Sequence, residues 1–345
     1  MRQAFEIPDD VGYFNTASLA PQLKSVRAAG EAAFEQRARP WAIADKDWFT
    51  DVERLRGLFA TIVNNTPDHV ALVPATSYAF AVAARNLTPS RVVVLADEYP
   101  SGIYSWRAAG AELVTVEREP GQSWADATIA AIDERVDVVS VPNVHWTDGS
   151  LVDLPPVAEA ARAHGAALMI DASQSCGVLP TDVGEIRPDF LVAVGYKWLL
   201  GPFGLGYLYV DERHHGGEPI EQNWINREGS EDFARLVDYR DEYQPGARRF
   251  DVGQRTSFML TPMAIAALTQ ILEWGVETIW RELRAITARI VPGAETHMVG
   301  VTPAPNPEAL ARHRCVAAMR GDSLRISPHL HITDDDVARL QEALA

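Results

Sequence analysis

The 345 residues are 47% hydrophobic and carry 31 basic against 47 acidic side chains, a formal net charge of −16. Such a surface repels nucleic-acid backbones and anionic membranes, the apolar runs are too short to span a bilayer, and no apolar leader follows Met1, so a cytoplasmic protein with neither kind of partner is expected. Two cysteines, Cys176 and Cys315, exclude a disulfide framework or cysteine-rich metal cluster, and the length suits one large α/β domain with a smaller appendage.

Helical periodicity is expected over 25–37 and 47–63, packed outside a sheet. From residue 70 short apolar runs alternate with helical stretches. Strands are expected at 70–73, 92–95, 113–116, 136–141, 167–170, 190–194 and 206–210, with helices at 77–87, 102–109, 124–132 and 155–163. Strands separated by helices imply crossover connections and a mostly parallel sheet covered on both faces. Residues 211–249 are polar, contain Trp224 and Tyr243 and lack a clear period, which reads as a lid or interface loop or as disorder. A single long amphipathic helix is expected over 262–289, then strands at 297–301, 315–319 and 324–326 and a capped helix at 333–344. The division that follows is a large domain over 21–255, a connecting helix over 256–290, and a small α+β domain over 291–345 joined by 1–20.

Two of the buried runs end in charge. One closes on Asp171, and the other passes through Gly195 and Tyr196 to Lys197. Adjacent strand ends are where open α/β sheets bind ligands, and a carboxylate with an amine there are the two groups that pyridoxal phosphate (PLP) requires of a protein. Taken alone, the pair is better explained as a buried ion pair. Thr76 and Ser77 open a helix after the first sheet strand, a place for phosphate as well as an ordinary cap. Tyr99 follows the second strand, able to stack on a pyridine ring or simply to cover the sheet edge. Asn143 and His145 follow another strand, within reach of a cofactor oxygen or a substrate, although a lone histidine is as often structural; nothing near it has metal-ligand spacing. Gln174, three residues past Asp171, can donate a hydrogen bond that a carboxylate cannot. Gly204-Leu205-Gly206 precedes a strand and is therefore not a dinucleotide fingerprint.

In order, Tyr13-Phe14-Asn15-Thr16-Ala17, Ala75-Thr76-Ser77, Glu98-Tyr99-Pro100, Asp171-Ala172-Ser173-Gln174-Ser175, Gly195-Tyr196-Lys197-Trp198-Leu199-Leu200-Gly201-Pro202 and Leu324-Arg325-Ile326-Ser327-Pro328-His329 resemble the motif series of the class V aminotransferase family. That family, on the PLP-dependent fold type I scaffold, includes cysteine desulfurases, kynureninases and isopenicillin N epimerase-like proteins. The resemblance implies an α/β large domain and a small α+β domain, with Lys197 forming the Schiff base (aldimine) and moving protons. It implies Asp171 on the pyridine nitrogen, Ala75, Thr76 and Ser77 with Tyr196 on the phosphate, Tyr99 against the ring and Gln174 on the phenolic oxygen. Arg325 would take the α-carboxylate of an amino acid, with Asn15 and His145 beside the substrate. A homodimer is implied too, in which the 250–256 segment reaches the neighbouring subunit's phosphate; Gln254 stands where desulfurases commonly carry threonine.

The reaction is less legible. Desulfurases need a thiolate on a mobile loop, whereas Cys315 falls in a strand pattern, and Tyr196 replaces the histidine that desulfurases carry before the lysine. Transamination is the leading expectation, with Cβ or C–S elimination, epimerisation and, less favoured, desulfuration as alternatives. Trp146, Trp224, Tyr104 and His145 are candidates to line the pocket, which would favour an apolar or aromatic substrate side chain.

Overall fold

The computed structural model describes residues 1–345. Its first strand, β1 (Gly12–Tyr13), precedes the helices α1 (Lys24–Arg37) and α2 (Thr50–Ile62). The alternating region follows as β2 (Val70–Val73), α3 (Thr76–Leu87), β3 (Arg91–Leu95), α4 (Pro100–Ala108), β4 (Glu112–Val116) and α5 (Trp124–Ala130). It continues through β5 (Val138–Pro142), α6 (Leu154–Ala163), β6 (Ala167–Asp171), α7 (Val183–Ile186), β7 (Phe190–Val194) and β8 (Gly206–Val210). The C-terminal part comprises α8 (Leu260–Trp274), α9 (Val276–Ile290), β9 (Val299–Val301), α10 (Pro307–Arg312), β10 (Cys315–Val316), β11 (Ala318–Arg320), β12 (Ser323–Ile326) and α11 (Asp334–Leu344).

Seven strands form one sheet in the order β2-β8-β7-β6-β5-β3-β4, parallel from β7 to β4, with β8 antiparallel to both its neighbours. Every residue of β2, β5, β7 and β8 is buried, as a sheet covered on both faces demands. Alternate side chains divide between two cores: Leu191 and Ala193 join the larger, while Phe190 and Val192 join the smaller. Helices α1, α2 and α8 supply Val26, Leu55, Phe59, Leu268 and Ile271 to the larger core. A third cluster, with Phe14, Ile290, Leu324, Ile326, Val337 and Leu340, lies where β1 pairs in parallel with β10 and Asn15 bridges to Ser327. The N-terminal residues thus complete the C-terminal unit. Thr333 caps α11 reciprocally with Asp336.

Two expectations need correction, and the alternatives left open for residues 211–249 are resolved towards an ordered loop. The helix expected over 262–289 is two helices, because Gly275 at φ +78° ends α8 and turns the chain into α9. The strand expected over 315–319 is split: β10 pairs with β1, and β11 pairs with β12 around a tight turn at Gly321-Asp322. Residues 211–249 are ordered without regular elements, by short 3-10 turns, a bridge between Arg227 and Tyr243, and Trp224 and Phe233 packed with Trp48. No helix is long and apolar enough to cross a membrane.

Candidate active site

Asp171 is the last residue of β6 and pairs with Val192 in β7, so the chain runs on from β7 past the sheet edge to reach Lys197. The turn that carries the lysine is pinched. The Gly195 amide donates to the Leu205 carbonyl at 2.8 Å, the Gly201 amide returns to the Gly195 carbonyl at 2.8 Å, and Leu200 takes a left-handed φ of +54°. A Cβ on Gly195 would lie 2.8 Å from the Leu205 oxygen, so only glycine permits this approach.

Asp171 is 8% exposed, and one carboxylate oxygen accepts the Ser173 amide at 2.9 Å. Lys197 makes no ion pair within 4.0 Å, which removes the buried salt bridge as an account of these two residues. Burial lowers the amine to about 8; Asp171 opposes that shift, and the cations of Arg325 and Arg320 reinforce it. Burial raises the Asp171 carboxyl, against Ser173 and Lys197. Two desolvated groups of opposite charge that sense one another without touching match a planar ring that engages both. The residues present therefore fit PLP.

Around them stand two tyrosines, with the Lys197 amine 5.8 Å from the Tyr99 ring centroid and 5.9 Å from that of Tyr196. Tyr99 immediately precedes α4, which Pro100 starts, and its amide donates to Glu98 at 2.6 Å. The other Glu98 oxygen is buried and unpartnered, and burial, with the nearby Asp171 charge adding, pushes the carboxyl up to about 8. Glu98 is thus a neutral acid at the edge of the site.

At the start of α3, Ala75 is extended, Thr76 is buried and Ser77 is exposed, at the positive end of the helix dipole. This end is braced from below. The side chain of Asp251 accepts from Arg56 at 2.7 Å and from the Leu72 amide of β2 at 2.6 Å, while Arg255 approaches at 3.2 Å; all three side chains are buried. Gln254, held between Asp251 and Arg255, is exposed and makes no hydrogen bond within the chain.

At the opposite end Arg325, 1% exposed, donates to the Trp146 carbonyl at 2.7 Å and to the Ser18 hydroxyl at 2.6 Å. Asn15 opens the turn that presents Ser18, and its buried amide oxygen has no partner. The Gln174 amide is oriented by its neighbours: its oxygen accepts the Trp198 indole N–H at 2.8 Å and its nitrogen donates to the Ala17 carbonyl at 3.2 Å. His145 is stacked on Trp124 with its ring nitrogens against Thr147 at 2.7 Å and the Ala96 carbonyl at 3.0 Å, so it shapes the wall with neither nitrogen spare. Trp146 borders Tyr99, with ring centroids 6.3 Å apart, whereas Trp224 packs on Trp48 and Tyr104 is exposed on α4.

Sequence reasoning missed Ser18, Glu98 and Arg320. Glu98 opens the Glu98-Tyr99-Pro100 motif but has no signature apart from its burial. Arg320 had a signal: Gly321-Asp322 between short apolar runs marks a two-residue hairpin, which sets Arg320 and Arg325 on one face.

A doubly wound sheet of this order, bearing an unpaired lysine and a buried acid at adjoining strand ends, defines the class as PLP-dependent enzymes of fold type I. The family model for aminotransferase class V matches residues 36–293. The chain is 29% identical over 322 residues to the uncharacterized aminotransferase YcbU of Bacillus subtilis, covering 87% of this chain and 85% of that one. It is 30% identical over 268 residues to a kynureninase of Deinococcus radiodurans, covering 73% and 63%, and 27% identical over 333 residues to isopenicillin N epimerase of Streptomyces clavuligerus, covering 84% and 82%. Among solved structures, a mutant of C-DES with glycine linked to its PLP cofactor superposes with a TM-score of 0.88 at 18% identity, covering 100% of this chain and 98% of that one. The cysteine desulfurase of Thermococcus onnurineus NA1 gives 0.85 at 19%, covering 99% and 95%; at such identities these two establish the fold. The chain belongs to the class V aminotransferase family, and its cofactor is pyridoxal 5′-phosphate.

Proposed function

We propose that the protein is a cytoplasmic, homodimeric aminotransferase whose substrate is an amino acid bound through its α-carboxylate. The observation that carries this reading is the half-buried, unpaired Lys197 amine, lowered by desolvation to about 8 beside the buried Asp171. When bound, PLP supplies an electron sink that acidifies the substrate's Cα proton. Lys197, whose amine desolvation holds below the ordinary lysine value, takes that proton and returns it. Asp171 holds a proton on the pyridine nitrogen, and Tyr99 keeps water from the ring face. Thr76, Ser77, the first amides of α3 and Tyr196 hold phosphate, and Gln174 directs its spare N–H to the phenolic oxygen. Arg325 grips the carboxylate as a planar fork. Gln254, exposed and unbonded, is available to a second subunit.

Elimination at Cβ remains a second reading, favoured by the kynureninase relative and by Tyr196 ahead of the lysine. Desulfuration by a thiolate is opposed by both cysteines, which burial pushes up to about 12 at Cys176 and about 11 at Cys315. The test is a panel of L-amino acids with and without a 2-oxo acid acceptor. Amino transfer that requires the acceptor supports the proposal, and ammonia or pyruvate release without one supports elimination. Lys197→Ala should abolish both turnover and the borohydride-sensitive visible band; turnover that survives refutes the assigned role.

A further inference from the structure

A second cation stands beside Arg325 for which an α-carboxylate alone gives no use. In the β11–β12 hairpin Ala318 pairs with Arg325 and Arg320 with Ser323, so the two arginines are diagonal neighbours on one face. Both reach the Ser18 hydroxyl, Arg325 at 2.6 Å and Arg320 at 3.2 Å. Arg320 also donates to the Met319 carbonyl at 2.7 Å, and its guanidinium carbon sits 5.5 Å from the centroid of the Trp146 ring. The Nε atoms of both arginines are buried without a partner, and neither side chain has a carboxylate within 4.0 Å. In a chain with 47 acidic residues, two adjoining guanidiniums without a counter-ion form a site built for anions from outside.

Both cations act on the Lys197 amine, so they belong to the reaction site and not to the outer surface. The wall between is continuous: Tyr99 borders Trp146, and Trp146 lies under Arg320. A substrate whose α-carboxylate occupies Arg325 neutralises one guanidinium. Its side chain, running along Trp146, ends at the other.

We propose that Arg320 reads a second negative group and that the substrate is an amino acid with an acidic side chain, of the aspartate or glutamate kind. This replaces the apolar or aromatic side chain expected from the pocket's aromatic residues. The inference rests on the assignment of Arg325 to the α-carboxylate made above, and Arg320 acts here as a specificity-determining residue.

The experiment compares the PLP-loaded wild type with Arg320→Gln and Arg320→Lys in two assays. The first measures kcat/KM on matched pairs, L-aspartate against L-asparagine and L-glutamate against L-glutamine. The wild type should favour the acidic member, and Arg320→Gln should lower kcat/KM for it by roughly 10- to 150-fold, the worth of one charge-assisted contact, with the amide member changed by less than about threefold. Arg320→Lys should recover part of the preference. The second assay needs no turnover: succinate and glutarate should raise the melting temperature of the wild type more than butyrate does, and Arg320→Gln should erase the difference. Equal losses on both members of a pair would place Arg320 on the α-carboxylate or in the scaffold and overturn the proposal, as would a wild type that binds dicarboxylates no better than butyrate. Selective dicarboxylate binding without turnover of any amino acid would uphold the anion site while refuting the aminotransferase reading.

Discussion

Burial sets the protonation of Lys197 and Glu98 alike, leaving the lysine amine and the glutamate carboxyl each near 8 where ordinary values are 10.5 and 4.5. For Glu98 the consequence is a pH-dependent stability. Between about 4.5 and 8 the unfolded carboxyl is ionised while the folded one keeps its proton, so the folded state binds more protons and stability falls as pH rises through that window. Glu98→Gln, neutral at every pH, should therefore gain on the wild type in urea midpoint from about pH 4.5 to 8, with no further gain above; parallel curves would mean that Glu98 ionises normally. At Arg325 the fork geometry matters more than the charge. Arg325→Lys should raise KM for the amino acid roughly 10- to 100-fold with a smaller effect on kcat, and an unchanged KM would mean that the carboxylate binds elsewhere.

Among the elements, β2 and the start of α3 depend on a side chain remote in sequence. Asp251 links Arg56 of α2, the Leu72 amide of β2 and Arg255 within a buried network. Removing the carboxylate leaves the buried Arg255 guanidinium without a counter-ion and Arg56 with only the partly exposed Glu53, so Asp251→Ala should destabilise the fold by roughly 3 kcal/mol in equilibrium unfolding. A loss below about 1 kcal/mol would show that water reaches Arg56. The hairpin of β11 and β12 does the same work at the other end of the site, since its register alone aligns Arg320 with Arg325. After the break at Gly275, α9 sets Ile279 and Leu283 on the large core that α8 also packs against, and reaches the third cluster through Ile290.

At the scale of the whole molecule, the chain leaves Ser77 and Gln254 exposed, which is where the proposed second subunit would close the proposed phosphate site. A dimer in which Gln254 crosses to the partner's site should sediment at twice the mass of one chain. Gln254→Ala should then release PLP about tenfold more readily on dialysis while remaining dimeric, as expected for loss of one hydrogen bond to a charged group. A monomer that retains PLP fully would end the cross-subunit assignment. Residues 12–15 pair with the C-terminal strands, so truncation at either end would disturb the same unit.

Asp171 and Lys197 are legible in the sequence because a charge closing an apolar run breaks a strong local pattern, and local patterns need no partner. The strands and crossover helices of the sheet are legible for the same reason, through their periodicity. The paired arginines, the neutral Glu98, the occupied ring of His145 and the anchor at Asp251 depend on residues brought together from distant parts of the chain. Tertiary structure decides these, because desolvation and hydrogen-bond satisfaction belong to the neighbourhood of a side chain and not to its place in the chain.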